Sequence, residues 1–414
     1  MSEALSRTLV TTVLKEQFPD GRLDPVWMYR EHPFLGSLGR RKDMQGRAYV
    51  VPVQTSLQNG SSHDVALATS LNAASRFQAF SVPPITNYAR ANFQGIAMRQ
   101  AREDKQGAAM WLNTVKNEFE GAFATLGNAQ AKEAVGDVGG SIAQIGTLVS
   151  ATRIQLKYPE LMVFFSNLMY LQFSANDGTA SGHALRASGA IAQITSINEA
   201  MGYLDFNNAS YPLSGITSLA ATDYMFIKGN FKAAAYGLRS WVPATDPQVG
   251  DAAFLGVDRS QSVNVLSGVR YDGSADTMES VFIRAKTLFN RFGKRSGVFY
   301  INPTDYERIA LTKEGLKEPL ANSYNMGFET ITIGTSKFVL DYDITPGEAW
   351  YLDPTDFVYC TNGDQPKIDD YDDLTFIRQS DDSYRVDFVI DYCFFAPAPG
   401  RIGRVTLPAR GVLS

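Results

Sequence analysis

The sequence predicts an α+β fold organised around an extended hairpin and one long helix. Three observations carry this. Arg47-Ala48-Tyr49-Val50-Val51-Pro52-Val53 is extended by its β-branched and aromatic content. A polar stretch from Gln54 to Ser75, rich in Ser, Asn, Gly, Ala and Thr, separates it from a returning strand over Arg76–Val82. From Asp104 towards Gly136, apolar residues then recur at helical spacing. A hairpin this long and this polar is weakly held within one subunit, because an isolated two-stranded ribbon is marginal in water. It makes physical sense when a neighbouring copy supplies the other surface, and this points to an assembly protein rather than an enzyme.

Taken in order, Glu3–Gln17 carries Leu5, Leu9 and Val13 at spacing four, an amphipathic helix ended by Pro19-Asp20-Gly21. Its apolar stripe is narrow and suits a docking arm. The segment from Trp27 to Leu38 mixes anchors (Trp27, Phe34, Leu35) with breakers (Pro33, Gly36, Gly39) and reads as an extended arm with sticky points, burial against its own domain being the alternative. The hairpin strands add Phe77 and Phe80. Leu5, Leu9, Trp27, Phe34, Phe77 and Phe80 are therefore the candidate assembly contacts.

Asp104 is a good N-cap for the long helix, and Ala108, Trp111, Val115, Phe119, Ala122 and Leu126 form its stripe, widened by Leu112 and Phe123. About 30 residues at about 1.5 Å each make a spine of about 45 Å. From Arg153 to Phe231 the pattern becomes short strands and turns, with strands expected over 168–173, 190–195 and 201–206 and a hairpin turn at Asn176-Asp177-Gly178. Met278, Val281, Phe282, Ala285, Leu288 and Phe289 form a helix face. Gly297–Ile301 is a buried strand, Asn302-Pro303 caps a helix containing Tyr306 and Ile309, and strands follow over Lys337–Asp341 and Ala349–Leu352. Near the end, Tyr384, Val386, Phe388, Ile390, Tyr392 and Phe394 alternate with Arg385, Asp387, Val389, Asp391 and Cys393. That is a strand with one face buried and one partly solvated, paired with Leu374–Gln379.

The chain has 414 residues, 44% of them hydrophobic, enough for a sizeable core and two domains or lobes. Its formal net charge of −5 disfavours direct nucleic-acid binding, which needs a positive field. The two cysteines, Cys360 and Cys393, fit a reducing compartment and allow at most one disulfide. No stretch reaches the roughly 20 apolar residues of a membrane helix, and the N-terminal residues do not read as a signal peptide. The expectation is a soluble protein made in a cytoplasm.

Catalytic chemistry finds little support. His32, His63 and His183 fall in an arm, the hairpin loop and a Gly/Ser-rich turn, whereas a nucleophilic triad needs its histidine held rigidly. No zinc-ligand spacing is present. Gly136-Asp137-Val138-Gly139-Gly140-Ser141 lacks the Gly-Lys-Ser/Thr ending of a phosphate loop and follows a helix, so it reads as a helix stop. The acidic run Asp369, Asp370, Asp372 and Asp373 lacks the order of a calcium loop and reads as a solvated turn. Asp341 and Asp343 read as strand-end polarity. No catalytic, cofactor or metal residues are assigned, and a non-enzymatic protein is expected.

In four stretches the chain resembles the major capsid proteins of tailed bacteriophages with the Hong Kong 97-like fold. They are Arg76–Val82 leading through Tyr88 and Gly95-Ile96-Ala97 into Asp104-Lys105-Gln106-Gly107; Trp111–Leu126; Gly256-Val257-Asp258-Arg259-Ser260 with Leu266-Ser267-Gly268-Val269-Arg270-Tyr271-Asp272-Gly273-Ser274; and Asn302-Pro303-Thr304-Asp305-Tyr306. With element order, the likeness spans nearly the whole chain; the ordered set carries it, since no single motif is diagnostic. The resemblance implies an N-terminal arm (1–46), an extended hairpin loop (47–92), a peripheral domain with spine helix and β-subdomain (93–230), an axial domain (231–360) and return strands of the peripheral domain (361–414). It further implies self-assembly into pentamers and hexamers of an icosahedral shell around double-stranded DNA, in a virion built in a bacterial cytoplasm. Implied partners are a portal and, in some members, a decoration protein. Some members bond a loop lysine to a neighbour, but no lysine lies between Gln54 and Arg90. Some carry a long scaffolding extension, and with about 46 residues before the hairpin a separate scaffolding protein is expected here. An encapsulin-type compartment subunit is the alternative with the same fold.

Overall fold

The computed structural model describes residues 32–58, 60–94, 105–293, 296–314, 337–363, 367–368, 377–379 and 383–409. They divide into two compact units. The first takes Thr86–Gln130 and Thr361–Asp391, and the second takes His32–Ile85, Ala131–Cys360 and the chain from Tyr392 onward.

In the first unit, strand Ile85–Gln94 pairs with the long strand Ser383–Phe395, which also pairs with Lys367–Ile368 and Ile377–Arg378. The spine helix, Lys105–Val135, covers this sheet. Phe119, Ala122 and Leu126, the described part of the expected stripe, meet Ala91, Val386 and Phe388. The Phe119 and Phe123 rings lie 5.2 and 4.8 Å from that of Phe388. Beyond the apolar face, Asp387 is held by Arg90 (2.6 Å) and Arg385 (3.3 Å), and Asp391 by the Thr86 hydroxyl (2.6 Å). The alternation expected of the long strand holds from Phe388 to Asp391, while Asp387, expected on the solvated face, is buried with its arginines. From Tyr392 to Phe395 both faces are buried, a departure explained in the second unit, where Tyr49 stacks on Phe395 at 4.6 Å.

The second unit holds two larger sheets. One has five strands in the order Val269–Asp272, Gly403–Thr406, Glu348–Leu352, Val298–Ile301, Lys337–Leu340. Helix Met278–Arg291 buries Val281, Phe282, Ala285 and Phe289 in the core shared with Phe299, Ile301, Phe338 and Tyr351. It starts at Thr277, whose side chain accepts from Ser280 N in a capping box. Asn302 caps helix Pro303–Glu314 as expected, its Oδ1 accepting from Thr304 N while its Nδ2 donates to Ile344 O. Gly403 is required by packing, because a Cβ there would stand 2.5 Å from the Phe289 ring.

The other sheet has seven strands in the order Ala192–Gln193, Tyr170–Ser174, Tyr224–Ile227, Ala143–Ser150, Arg153–Leu156, Tyr203–Asp205, Ser196–Asn198. It has its own core, in which Ile145, Ile154, Leu171, Phe173, Ile194, Leu204, Phe206 and Met225 are buried. This β-subdomain starts earlier than the sequence reading placed it. Strand Ala143–Ser150 was not foreseen because Gly146 interrupts it at a bulge, where a Cβ would meet Lys157 Cα at 2.9 Å. Asn176-Asp177-Gly178 is a turn in a longer connection rather than a tight hairpin, since Tyr170–Ser174 pairs with Ala192–Gln193. The two ends of the subdomain meet, with Lys232 N donating to Gly139 O (3.0 Å) and Ile142 N to Met225 O (2.9 Å).

Charges are buried in this unit. Glu348 accepts from Arg239 (3.1 Å) and Arg404 (2.9 Å); burial opposes its ionisation, but the two guanidinium groups overcome this and hold its carboxyl below the ordinary value. Among the described residues Glu133 has no cationic partner of that kind. It accepts from the Tyr392 hydroxyl (2.6 Å) and Ala235 N (3.0 Å), and burial raises its carboxyl above the usual range despite these bonds. The unfolded chain therefore ionises Glu133 at lower pH than the folded chain does, and stability falls as pH rises from the ordinary carboxylate value through the raised one. Glu133→Gln should leave the protein unchanged under strongly acidic conditions and stabilise it at neutral pH, each pH unit of displacement being worth about 1.4 kcal/mol. Urea denaturation of both forms across that range checks this; equal pH dependence in the two would refute it.

Candidate assembly surface

The hairpin pairs Tyr49–Ser56 with Arg76–Val82, in register Tyr49↔Val82 through Gln54↔Phe77, with a shift between Gln54 and Ser56. Its root is fastened by aromatic packing. Phe80 is 0% exposed, with its ring 5.0 Å from Trp241 and 6.2 Å from Phe254, edge to face in both cases. Trp241 and Tyr236 close around Phe254 at 5.4 and 5.7 Å, and the Arg259 guanidinium lies 3.9 Å over the Phe254 ring. Arg259 Nη1 also donates to the carbonyls of Ser240 and Trp241. Burial, with the nearby charge of Arg270, lowers its pKa to about 10, so it remains cationic at neutral pH. Ser81 N donates to Leu255 O at 2.9 Å, tying the returning strand to the same loop.

Towards the tip the packing ends. Phe77 is 69% exposed and Leu57 78%. Between them lies helix Val65–Ser70, with no buried residue; Val65 is 82% exposed, and Leu67 and Leu71 are also exposed. The reading of 54–75 as a polar loop missed this helix. Its signal was local: Asp64, whose side chain accepts from Ala66 N (2.8 Å), followed by the helix-forming run Val65-Ala66-Leu67-Ala68. Polar ties hold the tip, including Thr55 Oγ1 to Arg76 O, Arg76 N to Ser56 Oγ, and Gln58 Nε2 to Asn72 Oδ1. The surface thus offers exposed aliphatic and aromatic groups on a polar frame, which fits an apolar groove.

The six candidate contacts separate. Leu5, Leu9 and Trp27 lie outside the described residues. Phe77 is exposed. Phe80 and Phe34 are corrected: both are spent within the second unit. Phe34 is 1% exposed, 5.0 Å from Tyr300 and 6.3 Å from Phe357, and its N–H donates to Asp341 Oδ2 at 2.7 Å. The breakers around Phe34 suggested an extended arm, but Pro33 opens a short helix, Pro33–Ser37, that turns the ring inward. Asp341 and Asp343 do more than end a strand: both are buried, and Asp343 Oδ2 holds His32 Nδ1 at 2.7 Å. His63 is exposed and His183 faces Asp177, so the histidines do not converge. Among the described residues no cluster could hold a metal ion, and no helix is long and apolar enough to cross a membrane.

No family profile matches the sequence, and no curated protein does. Solved structures do. The capsid asymmetric unit of cyanophage A-1(L) is similar over 98% of this chain and 100% of its own, with a TM-score of 0.55 at 10% identity. The chain has a phage-capsid fold. The capsid of an empty GTA particle, computed with C5 symmetry, is similar over 94% of this chain and 100% of its own, with a TM-score of 0.51 at 9% identity. Within this capsid fold, root and tip carry different loads. Phe80→Ala should cost the isolated subunit about 3–5 kcal/mol. Phe77→Ser should stay within about 0.5 kcal/mol. Chemical denaturation of the two variants measures this, and similar losses in both would contradict the division.

Proposed function

We propose that the chain is the major capsid protein of a tailed phage, assembling into pentamers and hexamers of an icosahedral shell that encloses double-stranded DNA without reading its sequence. The observation that carries the proposal is the end-to-end likeness to the cyanophage A-1(L) capsid subunit. The exposed Val65, Leu67, Leu71 and Phe77 support it, because a hairpin tip with no packing of its own is suited to a neighbouring subunit. On this reading 1–46 is an arm whose Leu5, Leu9 and Trp27 dock on an adjacent subunit, and 47–92 is the extended loop. The peripheral domain is 93–230 with the return strands 361–414, and 231–360 is the axial domain. The arrangement is Hong Kong 97-like. Head-to-tail contacts of this kind close into rings and then a shell. A separate scaffolding protein and a portal complete assembly in the bacterial cytoplasm, and a decoration protein is a further partner.

Electron microscopy of the purified protein tests this directly: closed shells are expected, and persistent monomers at high concentration would sink it. Shells that co-purify with an enzyme cargo in place of DNA would point to a compartment instead. The double variant Leu67→Ser/Phe77→Ser should lower shell yield at least about tenfold while leaving the subunit's thermal unfolding unchanged, since each buried side chain is worth about 1.5–3 kcal/mol at a repeated contact.

With no lysine between Gln54 and Arg90 and both cysteines buried, shell subunits should be held without covalent bonds. Mature particles boiled in non-reducing detergent should run as one band at the monomer mass; a ladder of multimers would be the contrary result.

A further inference from the structure

Cys360, in strand Val358–Thr361, and Cys393, in the long strand, are both buried free thiols. The Asn362 N–H donates to the Asp391 carbonyl oxygen (3.4 Å), and the Tyr359 ring lies 5.4 Å from that of Phe394. Both contacts belong to one antiparallel register, and that register sets Cys360 directly across from Cys393. Opposed residues in antiparallel strands have Cα atoms about 4.5–5.5 Å apart, within the roughly 4.4–6.8 Å that a disulfide spans. The two thiols are close enough for each to shift the other's ionisation. On its outer side the Cys360 Sγ lies 3.6 Å from Asp43 Oδ1, and Asp43 is exposed. Cys360 therefore sits beneath the surface carboxylate of Asp43.

The geometry points to Cys360 and Cys393 as an oxidisable dithiol, a modification site for peroxide in which Cys360 reacts first and Cys393 resolves it to a disulfide. The neighbouring Cys393 thiol favours the Cys360 thiolate and lowers its pKa, while the same coupling, with burial, pushes the Cys393 thiol up. The Cys360 sulfur attacks one peroxide oxygen. The O–O bond breaks, the departing hydroxide takes a proton and leaves as water, and Cys360 becomes a sulfenic acid. Cys393 then gives up its proton, its sulfur attacks that of Cys360, the S–O bond breaks and a second water leaves. Two thiols lose two protons and two electrons, and one peroxide takes them up to become two waters. Both cysteines lie in the second unit, at either end of the run 361–391 that belongs to the first. The bridge would close that run into a covalent ring without joining one copy of the chain to another. This stands whether or not the chain builds a shell.

The test treats the full chain with hydrogen peroxide, denatures it in N-ethylmaleimide and maps its peptides by mass. The expected product is lighter by two hydrogens and unalkylated. Its Cys360 and Cys393 peptides are joined until dithiothreitol is added, and its unfolding temperature is higher by roughly 5 °C. Asp43→Asn, which removes the opposing charge at the surface, should form the bridge at least about threefold faster. Cys393→Ala should stop at a sulfenic acid on Cys360 that dimedone traps. Full alkylation of both thiols after peroxide, over-oxidation of one thiol with no bridge, a bridge between two chains, or no acceleration in Asp43→Asn would overturn the assignment; the first three need no variant to fold.

Discussion

The hairpin depends on the seat made by Phe80, Trp241, Phe254 and Arg259. A two-stranded ribbon has only its ladder bonds and cross-strand pairs to hold it, too little to fix its direction. Phe80 adds a fully buried ring in edge-to-face contact with two others, worth about 0.5–1.5 kcal/mol per aromatic pair beyond the area buried. Arg259 then does two things with one side chain. Its face covers Phe254, and its Nη1 satisfies the carbonyls of Ser240 and Trp241 at the end of a short helix. A lysine could not supply the flat stacking surface, so the substitution is not conservative here.

Buried charge adds a second constraint of a different kind. Arg239, Glu348 and Arg404 form a triad in which Arg404 and Glu348 sit on neighbouring strands of the five-stranded sheet, while Arg239 comes from the helix after the β-subdomain. Such a triad contributes little net stability, because desolvation of the ions offsets most of their attraction. It does penalise alternatives heavily, since any packing that separates Glu348 from its partners strands an ion in the core. The ends of the β-subdomain, joined at Gly139 and Lys232, are thus positioned by charge as well as by apolar packing.

Much of the architecture was legible from local pattern. Arg76–Val82 matches its strand residue for residue, and the spine helix and the Asn302 cap fall where periodicity and capping chemistry put them. What escaped was decided by tertiary neighbours. The strand Ala143–Ser150 carries a glycine because Lys157 crowds its bulge, and glycine weakens the very signal that marks a strand. The alternating strand also buries Phe395 because Tyr49, far away in sequence, stacks on it. At the candidate surface, Phe77 and Phe80 stand three positions apart on one strand and lie on opposite sides of the division between exposed and buried. Period-two logic puts them on opposite faces, but which face meets the core is set by Trp241 and Phe254, and no local pattern encodes that.

The comparison with the cyanophage capsid shows why the interaction has to be argued from this chain's own residues. At 10% identity over essentially the full length of both chains, what is shared is the fold, which many sets of apolar side chains satisfy equally. Individual contacts need not persist with it, and a surface that meets a partner is the part least bound by the subunit's own packing. The helix Val65–Ser70 illustrates the point. Nothing in its own fold requires Val65, Leu67 and Leu71 to be apolar, since none is buried, and serine or lysine there would make the free subunit more soluble. Under the proposed function these are the apolar groups a neighbouring copy would cover, and the seat of Phe80 sets where the hairpin presents them.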